Sequence, residues 1–362
     1  MPHSTPVLDT QVLDALRQVR DPELHRDIVS LNMVKRVTID GAVVHLLLEL
    51  TTPACPMKDQ IQGDVDRALK SLPGVESVEI EWSAQVRSSR PQSSLLPGVK
   101  NIIAVGAGKG GVGKSTVAVL LAYGLHRSGA TVGLMDADVY GPSIPTMTGI
   151  EGHQPRVSGN LIVPPLAGGV KIMSIGFMVD RDKPLIWRGP MAHGVIKQFL
   201  EQVDWGELDY LIVDLPPGTG DVPLTLAQQI PMTGAIVVCT PQDVALIDAR
   251  RAVRMYEQLN VVCLGIVENM SYYLCPKCGH RDELFDHGGA KSAAGDLNVP
   301  FLGEIPLNVG IRLQGDAGSP EKLFTETPDY VSDAMNKVVM NAAGQVSIRS
   351  NLRTMAPTLS IE

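Results

Sequence analysis

At 362 residues, with 44% hydrophobic residues and a formal net charge of −8, the chain is long enough for two domains, and its charge argues against nucleic-acid binding by phosphate neutralisation. No uninterrupted apolar run approaches the ~18–20 residues of a membrane span, and MPHSTPVLDTQ lacks the basic and apolar regions of an export signal, so a cytoplasmic protein without membrane attachment is expected. Five cysteines, an odd number in a long chain, make no disulfide framework and fit a reducing compartment, where a close pair binds metal or does redox chemistry.

From the N-terminus, Val12, Leu13, Leu16 and Val19 form one apolar face, predicting a helix over 9–19 with Asp9 or Thr10 as its cap. Three β-like segments follow at 34–39, 42–50 and 75–82, the first two joined by the hairpin signal Asp40-Gly41. Between the last two, Ile61, Val65, Ala68 and Leu69 recur at helical spacing within 57–72. Residues 1–85 thus read as a small α+β domain. Cys55, in Thr51-Thr52-Pro53-Ala54-Cys55-Pro56, falls where a strand ends and a helix begins. There a helix dipole can lower its thiol pKa; the alternative is a small buried residue at a strand end. Residues 86–98, rich in Ser, Pro and Arg, read as an interdomain linker.

Residues 99–116, VKNIIAVGAGKGGVGKST, run strand, glycine loop, helix, the context in which GxxxxGK[ST] from Gly108 to Ser115 signifies a phosphate loop. Gly108, Gly110, Gly111 and Gly113 let the backbone N–H groups of the loop, Lys109 and Val112 included, turn inward around phosphates. The helix opened by Lys114, Ser115 and Thr116 adds its partial positive charge. Lys114 is expected to reach the β- and γ-phosphates, and the Ser115 hydroxyl to ligate Mg²⁺. A plain flexible turn would not need the strand before it and the helix after it.

Beyond the loop, strand and helix alternate to 344, predicting an α/β fold with a mostly parallel sheet and helices on both faces. The strand at 131–135 ends in Asp136-Ala137-Asp138; carboxylates there can serve Mg²⁺ and an attacking water, or simply cap the following turn. Residues 155–180 are turn-rich and read as an inserted surface hairpin ahead of a helix at 191–203. Within Trp187-Arg188-Gly189-Pro190, Arg188 suits a nucleotide or partner contact and a surface ion pair equally, and is left unassigned. Four apolar residues ending in Asp214 have the Walker B form, in which the acid holds the Mg²⁺ shell, and the Pro/Gly segment 215–221 can respond to a γ-phosphate. Cys239 and Cys263 fall in core strands and read as inert packing. Cys275-Pro276-Lys277-Cys278 can grip one metal, which then needs about two more ligands. His280 and His287 can supply them within one chain, since no second C-x-x-C exists; a thioredoxin-like redox pair fits poorly so late in the chain. A helix at 330–343 and a polar tail, 345–362, read as flexible, close the sequence.

GKGGVGKST resembles the deviant P-loop family that includes MinD, ParA-like ATPases and the nitrogenase iron protein. The resemblance implies ATP as the nucleotide and a nucleotide-sandwich homodimer, in which Lys109 reaches the partner's nucleotide. It also implies that 136–143 is switch I with Asp138 positioning water, that 215–221 is switch II, and that Asn269 and the loop around Pro306 read the base. Asn269-Met270-Ser271 through Cys275 and Cys278, then Phe285, Gly288 and Gly289, resemble the Mrp/ApbC (NBP-type) iron–sulfur carriers, over residues 99–340. That resemblance implies slow ATP hydrolysis and a [4Fe–4S] cluster bridged by two copies of Cys275 and Cys278. It further implies a cluster donor scaffold and apo iron–sulfur proteins as recipients. Asp21-Pro22-Glu23, DIVSLNMV at 27–34 and TTPACP resemble the small domain associated with cytosolic iron–sulfur assembly, whose reactive positions map onto Asp21, Glu23 and Cys55. Two readings compete. One is a MinD- or ParA-type positioning ATPase, disfavoured by the negative charge and the lack of a C-terminal basic amphipathic helix. The other is an NTPase with a structural zinc site.

Overall fold

The computed structural model describes residues 7–89, 95–178 and 189–354, and the chain divides into two compact units, 1–87 with 347–362, and 88–346. Trp187 and Arg188 lie outside the described residues.

In the first unit, α1 (Asp9–Leu16) precedes β1 (Val34–Asp40) and β2 (Val43–Leu50), which pair antiparallel across a turn where Gly41 takes φ +59°. Helix α2 (Lys58–Lys70) then crosses over to β3 (Ser77–Ala84), which lies parallel to β2. Alternate residues of β2 are buried, so one face of the three-stranded sheet carries Val44, Leu46, Leu48 and Leu50 into a core with Val12 and Leu16 of α1 and Ile61, Val65 and Leu69 of α2. Helix α1 is capped otherwise than its sequence predicts: Leu8 is the N-cap, and its N–H donates to the Gln11 side chain at 3.0 Å.

The second unit opens on β4 (Val99–Gly106), α3 (Lys114–Arg127), β5 (Val132–Asp136) and the single turn α4 (Ile144–Met147). Short strands β6 (Arg156–Ser158), β7 (Leu161–Val163), β8 (Leu166–Ala167) and β9 (Val170–Ser174) lead to α5 (Gly189–Gln202) and β10 (Leu208–Asp214). Then come α6 (Asp221–Gln229), β11 (Gly234–Cys239), α7 (Asp243–Gln258), β12 (Cys263–Leu274), β13 (Arg281–Asp282) and α8 (Gly289–Leu297). Strand β14 (Phe301–Leu307) and α9 (Val309–Asp316) follow, and α10 (Asp329–Thr354) begins in this unit and ends among the residues of the first.

Strand β10 is central, flanked by β4 and β5 in a nine-stranded sheet ordered β13-β12-β11-β4-β10-β5-β9-β8, with β14 on β12. Every pairing is parallel except those of the edge strands β8 and β13. Continuous burial of β5, β11 and nearly all of β10 is what a parallel sheet covered on both faces demands. Helix α3 packs against β4, β5 and β10, and α8 against β12 and β14.

Three sequence expectations need correction. Residues 170–174 are no surface hairpin: β9 pairs parallel with β5 from Gly133↔Lys171 to Asp136↔Ser174, and its Ile172 and Met173 are fully buried. Left-handed glycines at 168 and 169 precede so short a strand that only the turn is visible in the sequence. Part of the expected linker is tied down, since the Ser88 hydroxyl donates to the Lys100 carbonyl at 3.0 Å and the Ser89 hydroxyl to Asn101 at 2.6 Å. Nor is 345–362 a flexible tail as far as residue 354, because α10 continues through it. Its Ser347 hydroxyl donates to Thr51 Oγ1 at 2.6 Å inside the first unit.

Truncating Leu69→Ala removes a fully buried side chain and is expected to cost about 2–5 kcal/mol in the first unit. Hydrogen exchange should rise in the 43–50 and 58–70 peptides and not in 99–106, because opening is local to a cooperative unit.

Candidate functional site

The glycine loop leaves β4 at Gly106 and enters α3 at Lys114. At two of its positions a side chain has no room. Gly113 takes φ +81°, and a Cβ there would overlap the Asn269 amide; a Cβ on Gly108 would overlap the Asp248 carbonyl. Gly111, also left-handed, is exposed with Gly110, and Lys109 beside them is half-buried.

Parallel register ends three strands together at this loop: Asp214 lies opposite Asp136 of β5 on one side and Val105 of β4 on the other. The Lys114 ammonium donates to Asp214 Oδ1 at 2.7 Å and stands 3.2 Å from Asp138 Oδ2, while the Ser115 hydroxyl donates to Asp214 Oδ2 at 2.6 Å. Asp136 accepts from the Ser174 hydroxyl at 2.7 Å and from the N–H groups of Asp138 and Ile144 at 3.2 and 3.3 Å. Lys114, Ser115, Asp136, Asp138 and Asp214 therefore converge, and Ser174, which the sequence did not single out, holds Asp136 in place.

Both Asp136 and Asp214 are fully buried, and Lys114 is 6% exposed. Burial drives the carboxyls of Asp136 and Asp214 well above the usual carboxylate range. It works against the charge of Lys114 too, yet Asp214, then Asp138 and Asp136, outweigh it and hold the ammonium above its ordinary range. Clustered carboxylates beside a primary hydroxyl form a hard oxygen donor set suited to Mg²⁺, and a lysine with a glycine loop suits phosphate. Beside it, Asn269 donates to the Val112 carbonyl at 2.8 Å and lines a cavity of about 680 Å³ with Thr116, Pro306, Asn308 and Arg312. That volume falls in the range of small-molecule sites.

Cys275 and Cys278 stand apart, on the turn between β12 and β13. Cys275 is half-buried and Cys278 exposed. The turn is closed by the Cys275 N–H on the His280 carbonyl and the Gly279 N–H on the Cys275 carbonyl, both at 2.9 Å. Backbone N–H groups of Lys277 and Cys278 aim at the Cys275 sulfur and hold its thiol below the ordinary range. Among the described residues, the grouping of three potential ligands within reach of one another is Glu268, His287 and Glu304, and no cysteine belongs to it. A one-chain Cys₂His₂ site is not assembled: His280 is exposed, and His287 lies 3.1 Å from Arg281 and 3.6 Å from Glu304 instead. The signal for this overlooked cluster is Glu268 itself, an acid inside the apolar run LGIVENM.

The remaining cysteines differ. Burial pushes the Cys239 and Cys263 thiols up to about 12, as inert packing residues. Burial also pushes Cys55 up to about 11, with the Glu23 and Asp21 carboxylates adding to it, so packing overrides the helix dipole there. Glu23 in turn is raised to about 7 by burial and by Asp21, which accepts the Glu23 and Leu24 N–H groups at 2.9 Å each.

A family model described as NUBPL iron-transfer P-loop NTPase matches residues 98–344, and one described as iron-sulfur cluster assembly protein matches 9–82. The chain belongs to the NUBPL iron-transfer P-loop NTPase family. The iron-sulfur cluster carrier protein of a Synechocystis species is 50% identical over 345 residues, 93% of this chain and 97% of that protein. A nucleotide-binding protein from Archaeoglobus fulgidus, solved in complex with ADP, is 43% identical with a TM-score of 0.58, covering 65% of this chain and 92% of that one. The cell division ATPase MinD of Pyrococcus furiosus shares the fold, at 22% identity and a TM-score of 0.51 over 67% of this chain and 97% of its own. The chain is a P-loop protein of mixed α/β architecture with a separate small N-terminal sheet. Among the described residues no helix is long and apolar enough to cross a membrane.

Lys114→Ala should weaken nucleotide binding by roughly 1.5–3 kcal/mol, the range for a lost charged hydrogen bond, measured by titration calorimetry. For Glu23, the folded carboxyl at about 7 lies above its ordinary 4.5. The folded state then binds more protons between those values, so stability is greatest at the acid end and falls as pH rises through the window. Glu23→Gln should flatten that dependence in denaturant titrations between pH 4.5 and 7.

Proposed function

We propose that the chain is an ATP-binding, slowly ATP-hydrolysing carrier of a [4Fe–4S] cluster, which two copies hold between them and pass to apo-proteins after loading from a donor scaffold. The observation that carries this reading is the incomplete pair Cys275 and Cys278. Two accessible thiols, one with its pKa lowered by backbone N–H groups, find no third ligand in their own chain among the described residues. Two copies supply four thiolates, the complement of a [4Fe–4S] cluster. A cysteine turn on the same unit as a phosphate loop also agrees with membership of an iron-transfer NTPase family and with half identity to a named iron-sulfur cluster carrier protein.

In this reading the backbone of Gly108–Thr116 cradles the phosphates, with Lys114 on the β- and γ-phosphates and Asn269 at the base. Ser115, Asp136 and Asp214 hold Mg²⁺ where their oxygens already converge, and Asp138 orients the attacking water. Lys109 reaches the nucleotide of the second copy, so that nucleotide binding and pairing favour one another. Hydrolysis then loosens the pair through 136–143 and 215–221, changing access to the four sulfurs. The cluster is cargo; the hydrolysis is the means of its loading or release.

Anaerobic protein treated with ferrous iron and sulfide should turn brown and hold about four irons per dimer. Cys275→Ala or Cys278→Ala should abolish this while nucleotide binding persists. A monomer that binds zinc and needs His280 or His287 to do so would overturn the reading.

A further inference from the structure

Strand β12 joins both chemistries. Its Asn269 is bound to Val112 in the phosphate loop, and it runs on to Leu274, immediately before Cys275. Between these points the strand is irregular. Asn269 pairs with Ile305 of β14 and Tyr273 with Leu307, so Met270, Ser271 and Tyr272 face a single residue, Pro306. Such a bulge breaks the ladder and re-aims the side chains within it. Met270 there has φ +54°, a left-handed backbone that a side chain without the local polar contacts of Asn or Asp rarely adopts. Its methyl group lies beside Gly113, 3.7 Å from where a Cβ on that residue would be.

Ser271, next in sequence and fully buried, is a hub. Its hydroxyl donates to Glu268 Oε1 at 2.6 Å and stands 3.4 Å from both His287 Nδ1 and Glu304 Oε2. Glu268 also accepts the N–H groups of Gly288 and Ala290 at the start of α8, at 3.3 and 2.8 Å, which anchors it. Arg281 ties the hub to the strand that returns from the cysteine turn: it pairs with Leu274 across β12 and β13, lies over the Tyr272 ring at 3.9 Å, and reaches His287 at 3.1 Å and Glu304 at 3.8 Å.

We propose that Met270 and Ser271 are positioning residues, a joint through which occupancy of the phosphate loop is felt at Cys275 and Cys278. A shift of Val112 and Gly113 draws on Asn269 and presses on Met270. Met270 is held in a sparsely populated conformation, so the bulge is where the strand can yield, and its rearrangement withdraws the Ser271 hydroxyl from the hub. The hold of His287 and Glu304 on Arg281, in the strand that returns from the cysteine turn, then changes, and with it the access to the two sulfurs. The inference rests on nucleotide binding at Gly108–Thr116 but not on any cluster, so protein that takes up no iron still tests it.

The test uses the reduced, iron-free full chain and reads iodoacetamide labelling of Cys275 and Cys278 by peptide mass spectrometry, with and without Mg²⁺ and a non-hydrolysable ATP analogue. In the natural sequence the nucleotide should change the labelling rate by about fivefold or more, the lower range of allosteric coupling. In Ser271→Ala the ratio should fall to about one, with nucleotide affinity and oligomeric mass unaltered. Met270→Gly, which removes the side chain that lies beside Gly113 and so the part on which the loop presses, should likewise lose the response, and decides the matter if Ser271→Ala does not fold. The joint is refuted if the natural sequence shows no nucleotide dependence, if the folded variant keeps the full ratio, or if the ratio is lost only together with a change in oligomeric mass.

Discussion

One buried ammonium set among three carboxylates governs the arrangement of the larger unit. A lysine and acids withdrawn from water are tolerable only when each finds its partner, because an uncompensated buried charge is strongly destabilising. Lys114, Asp138 and Asp214 meet this condition only if β4, β5 and β10 end level with one another and the glycine loop turns back tightly into α3. The register of three strands, the left-handed backbone of Gly113 and the pull of Ser174 on Asp136 are thus consequences of a single electrostatic requirement. The same requirement leaves the pocket with one ammonium beside a cluster of carboxyl oxygens. That is the environment in which a hard divalent cation and a polyphosphate, taken together, are at home.

The glycine loop and the Walker B strand were legible in the sequence because each is local. Glycines at fixed spacing and an apolar run closed by Asp214 need no knowledge of distant residues. The close pair Cys275 and Cys278 was legible for the same reason, being two cysteines on one turn. What stayed hidden depends on partners far along the chain. Ser174 matters only because β9 lies beside β5, and the five residues of that strand are overshadowed by the glycines that precede them. The end of α10 is a polar stretch with no periodicity of its own, ordered where Ser347 meets Thr51, nearly three hundred positions earlier.

Cys55 shows the same division in reverse. Its neighbours in sequence, a strand end and a helix start, speak for a lowered thiol pKa, whereas its neighbours in space, a desolvating core and the acids Glu23 and Asp21, drive it upward. Propensity and dipole are properties of a few adjacent residues; burial is decided by the whole unit, and it prevails. Glu268 is the converse case. An acid in the middle of an apolar strand is an error by pattern alone, and only Ser271, Gly288 and Ala290 give it a reason to be there.

Strand β12 spans twelve residues and outruns β11, whose last residue, Cys239, pairs with Glu268. The overhang, from Asn269 onward, carries the bulge and ends at the thiol turn, beyond the layer that β11, β4 and β10 share. An energy-converting core could therefore acquire a sulfur-bearing arm by lengthening one strand at its carboxyl end. In the same way, a relative with a shorter version of this one element could keep its nucleotide chemistry and carry no metal at all.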